Sequence, residues 1–205
     1  MNLTLTANKT AFYEIKKSRF IAYLEPYSSN DSFNRRRQQL TIDHPKANHV
    51  CYAWRNLSNQ QIQEGFSDDG EPSGTVGIPL LKLLQQHSMI ATQLFVVRYF
   101  GGTKLGTGGL MRSYTEAAKM CIDETFREGQ YITFQIQSTA SASASFSSEQ
   151  YLRLLCEQHS IRVNQPSYSD NGLIANLVAP RTALENLAKS LCDHQEIALG
   201  EIADV

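Results

Sequence analysis

Residues 98–110 read RYFGGTKLGTGGL and hold five of the chain's twelve glycines. The run follows ATQLFVVRYF, the most apolar stretch in the chain, and leads into MRSYTEAAKMC. A continuous apolar run of that length predicts a central strand. The segment from about Gly108 to Glu128 predicts a helix. A strand that turns through glycines straight into a helix must lay that helix back against its own sheet. Glycine permits positive φ and close backbone approach there. The unpaired N–H groups of the helix start favour negative charge.

The rest of the chain fits around this junction. FYEIKKSRFIAYLEPY alternates and predicts a hairpin, Phe12–Ile15 against Arg19–Leu24. SNDSFNRRRQQLTIDHP predicts a helix with Asn30 or Ser32 as its cap and Pro45 beyond its end. NHVCYAWRNL and QIQEGFS predict strands, and SDDGEPSGTVGIP a turn-rich loop. Pro79 fits only the first turn of a helix, so IPLLKLLQQHS should begin near Gly77 or Ile78.

Gly129 marks a change, and a domain boundary is expected there, giving domains 1–128 and 129–205. The later elements run β-α-β-β-α-β, the split-βαβ plan. The turn Asp170–Asn171–Gly172 joins its middle strands. The Ser/Ala run STASASASFSS is read as a strand end plus loop, and Ser147 with Gln150 has capping-box spacing.

Charge narrows the functional classes. The formal net charge is −1, which excludes a polycation built for nucleic acid. Residues 1–60 nevertheless carry nine Lys/Arg against four Asp/Glu. Lys16, Lys17, Arg19, Arg35, Arg36 and Arg37 form a local basic patch that could meet phosphates or merely face solvent. No segment has the apolar length of a signal peptide core or a membrane span, so a cytoplasmic protein without membrane contact is expected. Cys51, Cys121, Cys156 and Cys192 are expected to be free thiols.

The glycine junction could bind an anion through Arg98, Gly101, Gly102, Lys104, Gly106, Gly108, Gly109 and Arg112. A second glycine-rich helix start, Ser73–Gly74–Thr75, could join it if both open at one sheet edge. Neither run is a GxGxxG or GxxxxGK[ST] fingerprint, and on spacing alone tight turns and close packing come first. Asp68, Asp69 and Glu71 form an acidic loop. The first reading pairs one of them with Arg98 and leaves the others in solvent. Metal binding ranks second and acid–base catalysis third. His49 and Cys51 share a strand face, which fits core packing better than a nucleophile pair. Cys156/His159 and Cys192/His194 invite a zinc reading, but the plan puts them at opposite ends of a domain. No metal, cofactor or catalytic residue is assigned.

FSDDGEPSGTVG and VVRYFGGTKLGTGGL, in that order, resemble the signature of the IMPACT family, as do KKSRFIAYL and HVCYAW. The resemblance implies an α+β fold of two domains. The first would be a β-α sandwich like domain IV of elongation factor G. The second would be a ferredoxin-like βαββαβ domain like domain V of that factor. Eukaryotic relatives regulate translation through a separate preceding domain. This chain opens directly on the signature domain, so that partner interaction is not expected to transfer. The leading expectation is a non-enzymatic, monomeric protein that binds RNA or the ribosome. A small phosphorylated ligand, with Mg²⁺ if the acidic loop helps, and a protein-interaction module are the alternatives.

Overall fold

In the computed structural model, which describes residues 2–58 and 61–204, the glycine junction sits at the end of a central strand. The chain divides into two units, Met1–Phe134 and Gln135–Val205. The first unit begins with β1 (Leu3–Leu5) and the hairpin β2 (Lys9–Ile15) and β3 (Ser18–Pro26). Its turn residues Lys16 and Lys17 have φ of 48° and 64°, the left-handed pair that a two-residue hairpin turn requires. Helix α1 (Asn30–Asp43) is capped by Ser29 and not by Asn30 or Ser32. Ser29 accepts the Ser32 N–H, and the Ser32 hydroxyl accepts the Ser29 N–H, a reciprocal capping box.

The unit continues with β4 (His49–Ser58), β5 (Gln61–Ser67), α2 (Gly77–Gln86), β6 (Thr92–Tyr99), α3 (Gly106–Arg127) and β7 (Tyr131–Thr133). Five strands form an antiparallel sheet in the order β2-β3-β6-β4-β5. Helices α2 and α3 cover one face, where Phe20, Leu24, Ala53, Leu94 and Val96 meet Leu80, Leu84, Tyr114 and Ala118. Helix α1 covers the other, with Phe33 and Leu40 against Phe95, Val97 and Val50. Alternate residues of β6 therefore enter two different cores, which is why the strand reads as one apolar run. Trp54 belongs to the α1 side and stacks on Tyr27 at 5.1 Å between ring centroids.

The expected boundary after Glu128 falls too early. Residues 131–133 form β7, which pairs with β1, so the first unit holds the chain until Phe134.

The second unit comprises β8 (Gln137–Ala144), α4 (Glu149–Gln158), β9 (Arg162–Ser169), β10 (Gly172–Pro180), α5 (Arg181–Ser190), β11 (Ile197–Leu199) and β12 (Ala203–Asp204). The sheet order is β11-β8-β10-β9, all antiparallel, with β12 also on β8. That is the strand order of a split βαβ unit. The last strand is broken in two around Gly200, whose N–H donates to the Ser141 carbonyl.

The Ser/Ala run divides as expected into strand end plus loop: residues 138–144 are the body of β8, and residues 145–148 form the turn into α4. Ala140, Ala142 and Ala144 are buried in the core with Leu152, Leu155 and Leu187, and the intervening serines alternate to the opposite face. Period-two alternation of small residues is a strand pattern even when nothing in it is bulky. The capping box expected at Ser147 and Gln150 is absent, because Ser145, Ser147 and Ser148 all donate to one oxygen of Glu196. The Ser148, Ser145 and Ser147 hydrogen bonds hold that carboxyl down to about 2. Among the described residues no helix is long and apolar enough to cross a membrane.

The glycines of the junction differ in what they do. A Cβ on Gly101 would lie 2.1 Å from the Lys17 carbonyl carbon, so the β2–β3 turn can pack there only against glycine. A Cβ on Gly108 would meet nothing within 4 Å. Gly101→Ala should therefore lower stability by about 1–3 kcal/mol. Gly108→Ala should raise it by about 0.5–1 kcal/mol through reduced unfolded-state entropy. Urea denaturation followed by circular dichroism measures both.

Candidate anion-binding site

The acidic loop is organised by its own carboxylates. Asp68 accepts the N–H groups of Gly74, Val76 and Gly77, each at 2.8 Å, and so closes the start of α2. Partial burial raises the Asp68 pKa, but these three backbone bonds outweigh it and leave the carboxyl below its ordinary value. Asp69 accepts the Val50 N–H at 2.6 Å and lies 3.7 Å from Arg37. Neither residue is simply left to solvent, as one reading of the sequence expects. At the second glycine-rich start the donors are already taken. The Gly74 N–H belongs to Asp68, and both the N–H and the hydroxyl of Thr75 go to the Pro72 carbonyl. A helix start that already holds a carboxylate repels another anion; Ser73, exposed beside it, gains no helix dipole of its own.

Glu71 is the acid that pairs with Arg98. Its Oε1 accepts from Arg98 Nη1 at 2.5 Å and from the Tyr114 hydroxyl at 2.8 Å, with His49 Nε2 at 3.7 Å. Arg98 is Phe20's partner on β3 and His49's on β4, so these three side chains form a row facing α3. Its guanidinium also lies over the rings of Phe20 and Phe100. Arg98 is only 6% exposed, yet its Nε has no hydrogen-bond partner among the described residues.

Above Arg98 is a cleft of about 390 Å³. Its walls come from both motifs: Glu71 and Pro72 from the acidic loop, Phe100, Lys104, Leu105, Gly106 and Thr107 from the glycine junction, with Asn48, His49 and Leu110. Helix α3 begins here at Gly106, two residues earlier than the sequence suggests, and no side chain caps it. Its first N–H groups, from Gly106 to Gly108, thus lack intrahelical partners. Lys104 is exposed and makes no ion pair among the described residues.

The other predicted residues sort differently. The Gly101 N–H is taken by Ser18 Oγ at 3.0 Å, and Gly102, at φ +86°, shapes the turn. Gly109 packs toward Leu105. Exposed Arg112 donates back to the Gly108 carbonyl. Lys16 and Lys17 lie in the turn that touches Gly101, near the junction. The remaining basic residues are elsewhere. Arg19 lies over Tyr99 on the α1 side of the sheet. Arg36 is bidentate on buried Glu25, and Arg37 lies over Tyr52. Arg35 is exposed on α1. The six basic residues do not make one continuous surface with the cleft.

Cys51 is not a nucleophile. It is fully buried, its Sγ donates to the Asp68 carbonyl at 3.0 Å, and burial pushes the thiol up to about 12. Burial likewise carries the Tyr114 phenol far above its ordinary range. In the second unit, His194 contacts Tyr151 in the first turn of α4, while Cys156 and His159 lie at its other end. Among the described residues no cluster of three or more His, Cys, Asp or Glu could hold a metal ion. Sequence reasoning gave no site role to Asn48 and Tyr114, which carry no motif signal, nor to Phe100, Leu105 and Leu110, which lie within the glycine motif itself. Asn48, for example, matters only because it accepts the Phe100 N–H across the loop.

Residues 16–122 match the family model described as the Impact N-terminal domain, and that span holds every candidate site residue. The chain belongs to the IMPACT family. An IMPACT family member from Haemophilus influenzae is 32% identical over 77% of this chain and 75% of its own length. YvyE of Bacillus subtilis is 44% identical and YigZ of Escherichia coli 42%, each match spanning about half of both chains. A crystal structure of a hypothetical protein aligns over 97% of this chain and 95% of its own, at 27% identity and a TM-score of 0.69. The IMPACT signature thus coincides with the Asp68 cap, the Glu71–Arg98 pair and the start of α3.

Two outcomes test this arrangement. Asp68→Ala should cost about 1–2 kcal/mol at pH 7. The Asp68 carboxyl is depressed in the fold, so its contribution is present above the unfolded value of about 3.9 and disappears as pH falls through the lower folded value. The stability gap between the two proteins in urea should close on that acid side. With a thiol reagent at pH 8, exposed Cys192 should react first, and Cys51 only on unfolding. Early labelling of Cys51 would contradict the buried, neutral thiol.

Proposed function

We propose that this IMPACT family protein is a non-enzymatic, translation-associated protein of the cytoplasm that binds RNA or the ribosome through phosphate contacts at the start of α3. One observation carries the reading. An uncapped helix N-terminus, Lys104 and the buried guanidinium of Arg98 line a single cleft. Lys16 and Lys17, in the turn packed on Gly101, supply further positive charge beside it. The two-unit α+β architecture and its split-βαβ second half support the likeness to a translation-factor tip. That likeness is one of fold and supports the role by analogy.

The test is co-sedimentation with ribosomes and their subunits across a salt series. Arg98→Ala is a poor probe, since it strands buried Glu71 without its guanidinium. Lys104→Ala and a Lys16/Lys17→Ala double variant leave that pair intact. Binding should fall steeply with salt, and each lost phosphate contact should reduce the salt slope by about 1. Binding that ignores salt, or survives all three lysine substitutions unchanged, would overturn the proposal.

A further inference from the structure

Two aromatic rings of the second unit stay outside its core. Phe146, in the turn before α4, and Tyr168, near the end of β9, have ring planes 7° apart and centroids 6.3 Å apart. Each residue is 61% exposed, although rings of this size ordinarily carry their area into a core. Tyr168 is held in place all the same. Its hydroxyl donates to Glu149 Oε1 at 2.9 Å, and Arg153 Nη2 lies 3.4 Å from it. A ring pair fixed in this way loses little freedom when a ligand stacks on it.

A groove of about 520 Å³ follows the outer side of α4. Ser147, the chain neighbour of Phe146, and Arg153, the neighbour of Tyr168, both line it, so it runs on from the rings. Half-exposed Tyr151 and Leu154 give it apolar side chains, and Glu157 lines it too.

The charge of this unit is acidic. Residues 135–205 hold four Lys/Arg against eight Asp/Glu. Asp170 is exposed two residues beyond Tyr168, and Glu196 is fixed by three serine hydroxyls of the turn that carries Phe146. Arg153 is balanced by Glu149 Oε1 at 2.8 Å. Such a surface repels a phosphate backbone and attracts a cation. Arginine suits it better than lysine, because a flat guanidinium stacks on ring faces and forks to carboxylates.

We infer that the outer face of α4 docks a short arginine-bearing segment of a protein partner. A guanidinium lies on the Phe146–Tyr168 pair, and a neighbouring apolar side chain rests on Tyr151 and Leu154. This is independent of the anion-site reading, which concerns the first unit alone.

Fluorescence anisotropy of the full chain tests it, with a labelled peptide of alternating arginine and leucine, its lysine counterpart and a single-stranded oligonucleotide as probes. The arginine peptide should bind saturably, and the lysine peptide about two- to fivefold more weakly. Phe146→Ala should weaken the arginine peptide by about two- to fivefold with an unchanged circular dichroism spectrum. Tyr168→Phe, which keeps the ring, should weaken it less than Tyr168→Ala. Lys104→Ala, in the first unit, should leave it unchanged. Absence of binding would overturn the inference, as would equal affinity for both peptides that ignores Phe146→Ala, the mark of bulk charge alone. Oligonucleotide binding lost in Phe146→Ala would overturn it by making the rings a base-stacking platform. Self-association lost in the same variant, followed by sedimentation, would overturn it by making this face a contact between copies.

Discussion

One carboxylate oxygen joins three parts of the first unit. Glu71 Oε1 comes from the acidic loop and receives Arg98 from β6 and Tyr114 from α3. The Glu71 and Arg98 side chains are 5% and 8% exposed, so both charges have left most of their water. Each would cost several kcal/mol in the interior without the other. The loop can therefore reach no other place on the sheet while Arg98 is buried. Asp68, three residues earlier, ties the same loop to the start of α2. Loop, strand and both helices share one small set of charged hydrogen bonds, and the cleft is what that set leaves between them.

The two glycine-rich helix starts show how the same backbone physics yields opposite chemistry. Both offer unpaired N–H groups at the positive end of a helix dipole. At α2 an acid from the preceding loop takes them, and the start becomes part of the scaffold. At α3 no acid precedes the helix; Lys104 does, and no side chain caps Gly106. The difference lies in the side chains placed just before each helix rather than in the glycines.

The basic residues divide in a similar way. Arg36 and Glu25 neutralise each other on the α1 face, with Arg36 also over the Tyr23 ring. Arg19 and Arg37 lie over tyrosines. These side chains serve the packing between α1 and the sheet. The lysines of the β2–β3 turn, Lys104 and Arg112 are exposed cations at the glycine end.

Local pattern by itself determined much of this protein. The strand periods, the β2–β3 hairpin, the start of α2 set by Pro79 and the split-βαβ order of the second half were all legible, because each depends on neighbours in sequence. So was the pairing of Arg98 with a carboxylate of the acidic loop. The tertiary structure alone decided which carboxylate that was, since the three lie within four residues and only backbone geometry distinguishes Glu71 from Asp68 and Asp69. It also decided how far β8 extends into the Ser/Ala repeat, because small residues show their burial only when α4 and α5 pack on them. The walls of the cleft were legible only in part. Phe100 and Leu110 belong to the glycine motif, but Asn48 joins them through strand pairing and helix packing, long-range contacts for which a linear pattern of residue types carries no signal.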